Sequence, residues 1–171
     1  WDYIGWKDEF ADPAFTQRQK AYAKAAGHWK IYTPQMIVGG RDILIGAKPM
    51  KLAELISAHA KVASTVTLHI AREGDKLAVV AERNGAARLP DQMLLQLVRF
   101  DPLRKVDIRR GENAGKTISY ANIVKSWRPV AKWDGLAPLQ ISVDLGGDAA
   151  PVAVIVQAAG QGPIVAAAQL R

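Results

Sequence analysis

The sequence contains no cysteine. That excludes disulfide staples, thiolate metal ligands and a thiol nucleophile within these residues. It says nothing about compartment. Histidine is scarce too, with His28, His59 and His69 the full set. None of them forms an H-x-x-x-H or a His-carboxylate ligand pattern, so neither a metal site nor a cofactor is expected. No Gly-x-Ser-x-Gly elbow occurs, which leaves no hydrolytic nucleophile motif. No apolar run approaches the ~18 residues of a membrane-spanning helix. The chain opens at Trp1 without a leader-like basic and apolar stretch. It has no repeat, low-complexity segment or linker. These residues hold no self-contained catalytic set.

What is present is an ordinary folded composition. Of 171 residues, 49% are hydrophobic and 23% are charged. Length allows one or two domains. The net charge is +7, but it is dispersed. Residues 1–62 carry nine basic and six acidic groups, and residues 63–171 carry fourteen and ten. Mixed charge of this kind is a solvated surface. A nucleic-acid interface needs a stripe of one sign and a reading element, so no nucleic-acid partner is expected.

The first third reads as two helices around a hairpin. Asp12-Pro13 is a helix start: the Asp12 carboxylate can cap orphan N–H groups, and Pro13 at the first helical position loses nothing. The helix is expected from Pro13 to about Ala26, with Phe15, Tyr22 and Ala26 on its apolar side and Gly27 ending it. Next comes Ile31-Tyr32-Thr33-Pro34. Pro34 has no N–H for a ladder, so it belongs at the first residue of a strand or in a tight turn. Met36–Val38 and Ile43–Ile45 flank Gly39-Gly40-Arg41-Asp42, a hairpin signal. Pro49 opens a second helix to about Lys61. Its Leu52, Leu55, Ile56 and Ala60 form one apolar face. His59 sits beside that stripe with no partner at helical spacing and reads as a half-exposed helix histidine.

After Val62 the texture becomes alternating. Strands are expected near 65–70, 76–82, 93–99, 106–109, 117–124, 139–143, 152–156 and 164–168. Asn84-Gly85, Trp133-Asp134-Gly135, Gly146-Gly147-Asp148 and Gly160-Gln161-Gly162-Pro163 supply the turns. Seven or so short strands with regular turns argue for a β-sandwich. The boundary falls near 62–64, giving parts 1–62 and 63–171.

Three stretches are candidates for function. Tyr32, Thr33 and Pro34 lead straight into the apolar, β-prone run that ends at Gly39-Gly40. Arg110-Gly111-Glu112-Asn113-Ala114-Gly115-Lys116-Thr117 nearly spells a phosphate loop. However, it has three residues between its glycines where four are needed, and a β-branched run follows in place of a helix. It is read instead as a polar turn, with Arg110, Glu112, Asn113 and Lys116 as a binding loop. The aromatics Trp1, Tyr3, Trp6 and Phe10 could stack on a sugar or a base, but core anchoring is the simpler reading.

Taken together, the chain resembles a bacterial secreted family of unknown function, built from a thioredoxin-like domain followed by a β-rich domain. Trp1-Asp2-Tyr3-Ile4-Gly5-Trp6-Lys7-Asp8, Tyr32-Thr33-Pro34-Gln35-Met36 and Arg110–Thr117 carry the likeness. The order helix, Thr-Pro, strand, hairpin, strand, helix in residues 13–61 resembles the C-terminal part of a thioredoxin-like fold. The resemblance implies an α+β protein: an incomplete thioredoxin-like α/β domain in 1–62 and a β-sandwich-like domain in 63–171. It also implies a secreted or periplasmic location, and a preceding β-α-β segment that carries a Cys-x-x-Cys or related pair. Thr33-Pro34, whose peptide bond is usually cis in such domains, would then face a thiol- or disulfide-containing protein or peptide. The rival expectation is a non-enzymatic binding module acting through its β-rich part.

Overall fold

The computed structural model describes residues 9–109 and 114–171. Helix α1 spans Pro13–Ala25. Asp12 caps it as the sequence requires, its Oδ1 accepting from Ala14 N at 2.7 Å. At the other end Gly27 N–H donates to Lys24 O and His28 N–H to Ala23 O. That pair of bonds is the Schellman pattern, and it needs the positive φ of 74° that Gly27 adopts. Tyr22 and Ala23, not Ala26, are the buried residues of the helix.

Strands β1 (Gln35–Val38) and β2 (Asp42–Ile45) form a two-stranded antiparallel sheet, followed by α2 (Pro49–Ala60). The Gly-Gly hairpin sits where expected, with Val38 opposite Asp42. Helix α2 buries none of its residues fully, and Met50 and Ile56 remain exposed. Among the described residues, β1 pairs with β2 alone.

The rest is all strand: β3 (Val66–Glu73), β4 (Lys76–Arg83), β5 (Met93–Asp107), β6 (Thr117–Trp133), β7 (Leu139–Asp144), β8 (Val152–Ala158) and β9 (Ile164–Leu170). They build a three-stranded sheet, β3-β4-β7, and a four-stranded sheet, β6-β5-β8-β9. Every pairing is antiparallel. Both sheets feed one apolar cluster: Leu77 and Val79 from β4, Met93 and Leu95 from β5, Val152 and Val154 from β8. Period-two alternation places these side chains on one face of each strand. Each fully buried Leu or Val contributes about 1.5–3 kcal/mol.

Two strands run longer than their sequence pattern suggests. The expected strands 93–99 and 106–109 merge into β5, and 117–124 extends into β6. Proline obscured both. Pro102 lies past Arg99, where β8 stops pairing with β5, so its missing N–H faces no strand on that side. The β5–β6 ladder skips the pair Pro102–Asn122, Asn122 taking a φ of 53°, and then resumes to Asp107↔Thr117. Pro129 is tolerated because β6 is an edge strand.

The helical part and the strands meet along a polar seam. Ile164 N–H donates to Gly39 O at 2.8 Å, tying the β1–β2 hairpin to the start of β9. Gly40 lies so close that a Cβ there would fall 2.7 Å from Gly162 O and 3.0 Å from Ile164 N. The double glycine is therefore required by close approach as well as by turn geometry.

Candidate functional site

Residues 27–34 cross the surface between the capped end of α1 and β1, and every one of them is exposed. The Thr33–Pro34 peptide bond is cis. Pro34 O accepts from Gly46 N at 2.9 Å, which fixes the entry into β1. On the other side, Gln19 Nε2 of α1 donates to Tyr32 O and to Gln35 Oε1, both at 2.7 Å. Tyr32 is 43% exposed. Between these two clamps Thr33 makes no hydrogen bond to any described residue. The loop thus holds a fixed backbone donor and acceptor open to solvent, in line with the strand that follows.

The second predicted site is only partly visible. Arg110, Glu112 and Asn113 lie outside the described residues, as do Trp1, Tyr3 and Trp6. Lys116 is exposed at the end of the β5–β6 hairpin. There Ile108 N–H donates to Lys116 O (2.9 Å), Gly115 N–H to Ile108 O (2.7 Å) and Thr117 Oγ1 to Asp107 Oδ1 (2.6 Å). Thr117 opens a strand and not a helix, which disposes of the phosphate-loop geometry. Phe10 stacks edge-on against Tyr120 of β6, ring centroids 5.4 Å apart. That is anchoring, as the simpler reading of this aromatic had it.

Two constellations escaped the sequence reading. The first is the seam under α1. Arg18 donates to Tyr22 Oη (3.0 Å), Gln157 Oε1 (3.0 Å) and Gln96 Oε1 (3.2 Å). Its guanidinium carbon stands 3.3 Å from the Trp127 ring centroid, a cation–π contact of about 0.5–2 kcal/mol. Gln96 and Gln157 are themselves buried and bonded to each other at 2.9 Å. Trp127 Nε1 donates to Gln96 Oε1 (2.7 Å), and Gln157 Nε2 donates to Tyr22 Oη (2.7 Å) and Gly162 O (2.8 Å). Desolvation lowers the Arg18 pKa, and the charge and hydrogen bond of Tyr22 oppose that shift. Spacing of i, i+4 on α1 hints at the Arg18–Tyr22 pair, but the glutamines are 78 and 139 residues away.

The second is His59. Its Nε2 lies 2.6 Å from Asp42 Oδ2 at the start of β2, and its ring covers Gly39, where a Cβ would fall 2.4 Å from Nδ1. The partner came from the hairpin, not from helical spacing. With Nδ1 packed on glycine, the pair braces the turn. His59 and Asp42 both line a cavity of about 270 Å³, together with Arg41, Ser64 and Thr65. Among the described residues, no three His, Asp or Glu side chains gather as a metal site. No helix there is long and apolar enough to cross a membrane.

Cavities separate in character. One, about 680 Å³, opens around Met93, Trp133, Pro138 and Leu139. Its rim carries Lys132 and Asp134, charges that offset one another, and Trp133 Nε1 already donates to Ala137 O at 2.7 Å. Its lining is mostly apolar. A smaller one, about 320 Å³, lies beside the Thr33 loop, between Lys20, Ala23, Lys24 and Gly27 of the α1 end and His28, Trp29 and Ile31.

No curated protein matches the chain. Its architecture is similar to a crystal structure of an Agrobacterium tumefaciens protein, with a TM-score of 0.80 and 26% sequence identity. That match covers 98% of this chain and 74% of the other. A model of a family of unknown function, DUF1223, matches residues 1–157, and the chain belongs to that family.

Proposed function

We propose that Tyr32, Thr33 and Pro34 are the substrate-side loop of a thioredoxin-like domain in 1–62, joined to a β-sandwich in 63–171. On this reading the loop aligns an extended thiol- or disulfide-containing peptide in an exported protein. The observation that carries it is the backbone of Thr33, held between two clamps with its N–H and C=O unengaged by any described residue. An incoming strand pairs with such groups, and main-chain hydrogen bonds supply its affinity. Among the described residues β1, which begins two residues on, pairs with β2 alone.

The chemistry needs a thiolate from outside these residues. It attacks one sulfur of the substrate disulfide; the new S–S bond forms as the old one breaks, and the other sulfur departs as thiolate. The residues here orient the substrate and transfer nothing. Insulin reduction by the intact protein, against a version with Ser at every cysteine, tests the redox half. A rate that falls to background in the Ser version supports it. Equal rates, or an intact protein without cysteine, overturns it.

A second reading is a binding module using Arg110, Glu112, Asn113 and Lys116. Lys116 sits at the end of a hairpin whose ladder reaches Asp107↔Thr117, far beyond the strands that β8 covers. Replacing Arg110 and Glu112 by Ala then abolishes partner capture without unfolding, and unchanged capture disposes of the idea.

A further inference from the structure

The segment before Thr33 has two properties beyond an open backbone. Trp29 is 100% exposed, and Ile31 and Tyr32 are 38% and 43% exposed. Exposed apolar groups gathered on one surface mark an interaction site more often than scattered ones do. Ile31 and Trp29 also form one wall of the cavity of about 320 Å³ whose floor is Ala23, only 3% exposed. That volume accepts one large apolar side chain.

The second property is charge. No acidic residue lies between Asp12 and Asp42, while Arg18, Lys20, Lys24, Lys30 and Arg41 all do. Lys20 and Lys24 stand one helical turn apart on α1 and line the cavity together with His28. All three are exposed. Lys20 and Lys24 lie in the last two turns of α1, and the Schellman cap leads the chain from there through His28 into the Trp29 segment. The whole molecule mixes its charges, but the lining of this cavity carries basic groups and no acidic one. Trp29 is four residues from Thr33, at most about 14 Å along an extended chain. A single short peptide can reach both.

We infer that this cavity is a specificity subsite for an acidic, apolar peptide: it takes one large aliphatic or aromatic side chain, with neighbouring Asp or Glu residues against Lys20 and Lys24. The inference rests on the reading of Thr33 as a strand-pairing loop and supplies its substrate class. Backbone pairing at Thr33 gives affinity without sequence preference. The Trp29 cavity and its cationic rim supply the preference, as alternate side-chain pockets do in strand addition.

The test uses capped, cysteine-free octapeptides with Glu-Leu-Glu, Ser-Leu-Ser, Glu-Ser-Glu or Lys-Leu-Lys at the centre of a Ser-Thr background. Affinity is read by calorimetry and by tryptophan fluorescence. Glu-Leu-Glu is expected to bind tightest and Lys-Leu-Lys weakest. Trp29→Ala is expected to weaken Glu-Leu-Glu about tenfold, the equivalent of one apolar side chain left in water. Lys20→Gln with Lys24→Gln is expected to weaken it roughly fivefold and to flatten its salt dependence. Both variants change exposed side chains, and circular dichroism checks that the fold is kept. A Glu-Leu-Glu peptide N-methylated along its backbone separates the two ideas. If methylation abolishes binding but the four sequences bind alike, the subsite is overturned and the Thr33 reading stands. If methylation changes nothing, or no peptide binds, both are overturned.

Discussion

Replacing Gly40 by Ala tests whether the double glycine is there for close approach. Gly40 has a φ of 69°, so any side chain first costs about 1 kcal/mol for the left-handed conformation. The second cost is contact. The new Cβ would lie 2.7 Å from Gly162 O and 3.0 Å from Ile164 N, which are backbone atoms that cannot rotate aside. The hairpin must withdraw from the β8–β9 turn, and the 2.8 Å bond from Ile164 N to Gly39 O lengthens or breaks. Losing that bond and the packing around it adds about 1–3 kcal/mol. Gly40→Ala should therefore destabilise by about 2–4 kcal/mol. Gly46 is the control: its φ is 82°, but nothing lies within 4 Å of a Cβ built there. Gly46→Ala should cost only the conformational part, about 1 kcal/mol. Urea titration of both variants reads the difference from the midpoints at constant slope. Equal losses in the two variants would refute the reasoning, because they would leave conformation as the only cost.

Gln157→Leu should destabilise by about 2–4 kcal/mol by thermal unfolding, since it strands Arg18, Gln96 and Tyr22 together in a buried seam; a loss below about 0.5 kcal/mol contradicts the network. Asp12→Ala should cost about 1 kcal/mol through the lost cap on Ala14 N, measured as a shift in the urea midpoint. Asp148 gives a pH signature. Its pKa is lowered below 3.8, first by the Ala150 N–H and then by the Arg99 hydrogen bond. A depressed carboxylate favours the fold while ionised, so its contribution is whole above the ordinary value and is lost as pH falls through the folded one. The stability gap between wild type and Asp148→Asn should be constant near neutrality and shrink below about pH 4; a gap that widens in acid reverses the assignment.

The local signals in the sequence were strong where one residue type has one physical use. Asp12, Pro13 and Gly27 bound α1, and Gly39-Gly40 turns the hairpin, because capping and left-handed backbone leave few alternatives. The eight segments expected after Val62 all overlap strands β3–β9, two of them on β5. The expected segments fell short at β5 and β6, which hold Pro102 and Pro129 where, among the described residues, no strand pairs on one side. The long-range part of the seam was not legible. Gln96 looks like any polar residue in a strand; the β5–β6 pairing brings it Trp127, and the docking of α1 brings it Arg18. His59 is the half-exposed helix histidine that was expected, but its partner Asp42 is set by the hairpin and was not legible from sequence spacing.

Helix α1 explains why the loop and the seam belong to one design. At 3.6 residues per turn, consecutive positions face directions about 100° apart. Arg18 and Tyr22 turn inward and dock on Gln96, Gln157 and Trp127, which fixes the roll of the helix against the strands. With that roll set, Gln19 points to the next sector and clamps Tyr32 O and Gln35 Oε1. Lys20 and Lys24 occupy the sector beyond and rim the cavity at Trp29. A guanidinium without a carboxylate among its hydrogen-bond partners is a poor device for stability alone, since burial opposes its charge. It is a good device for orientation, because a planar fork with three acceptors and one stacked ring fits one geometry. The polar seam holds the helix at one angle, and that angle presents Thr33 between its clamps.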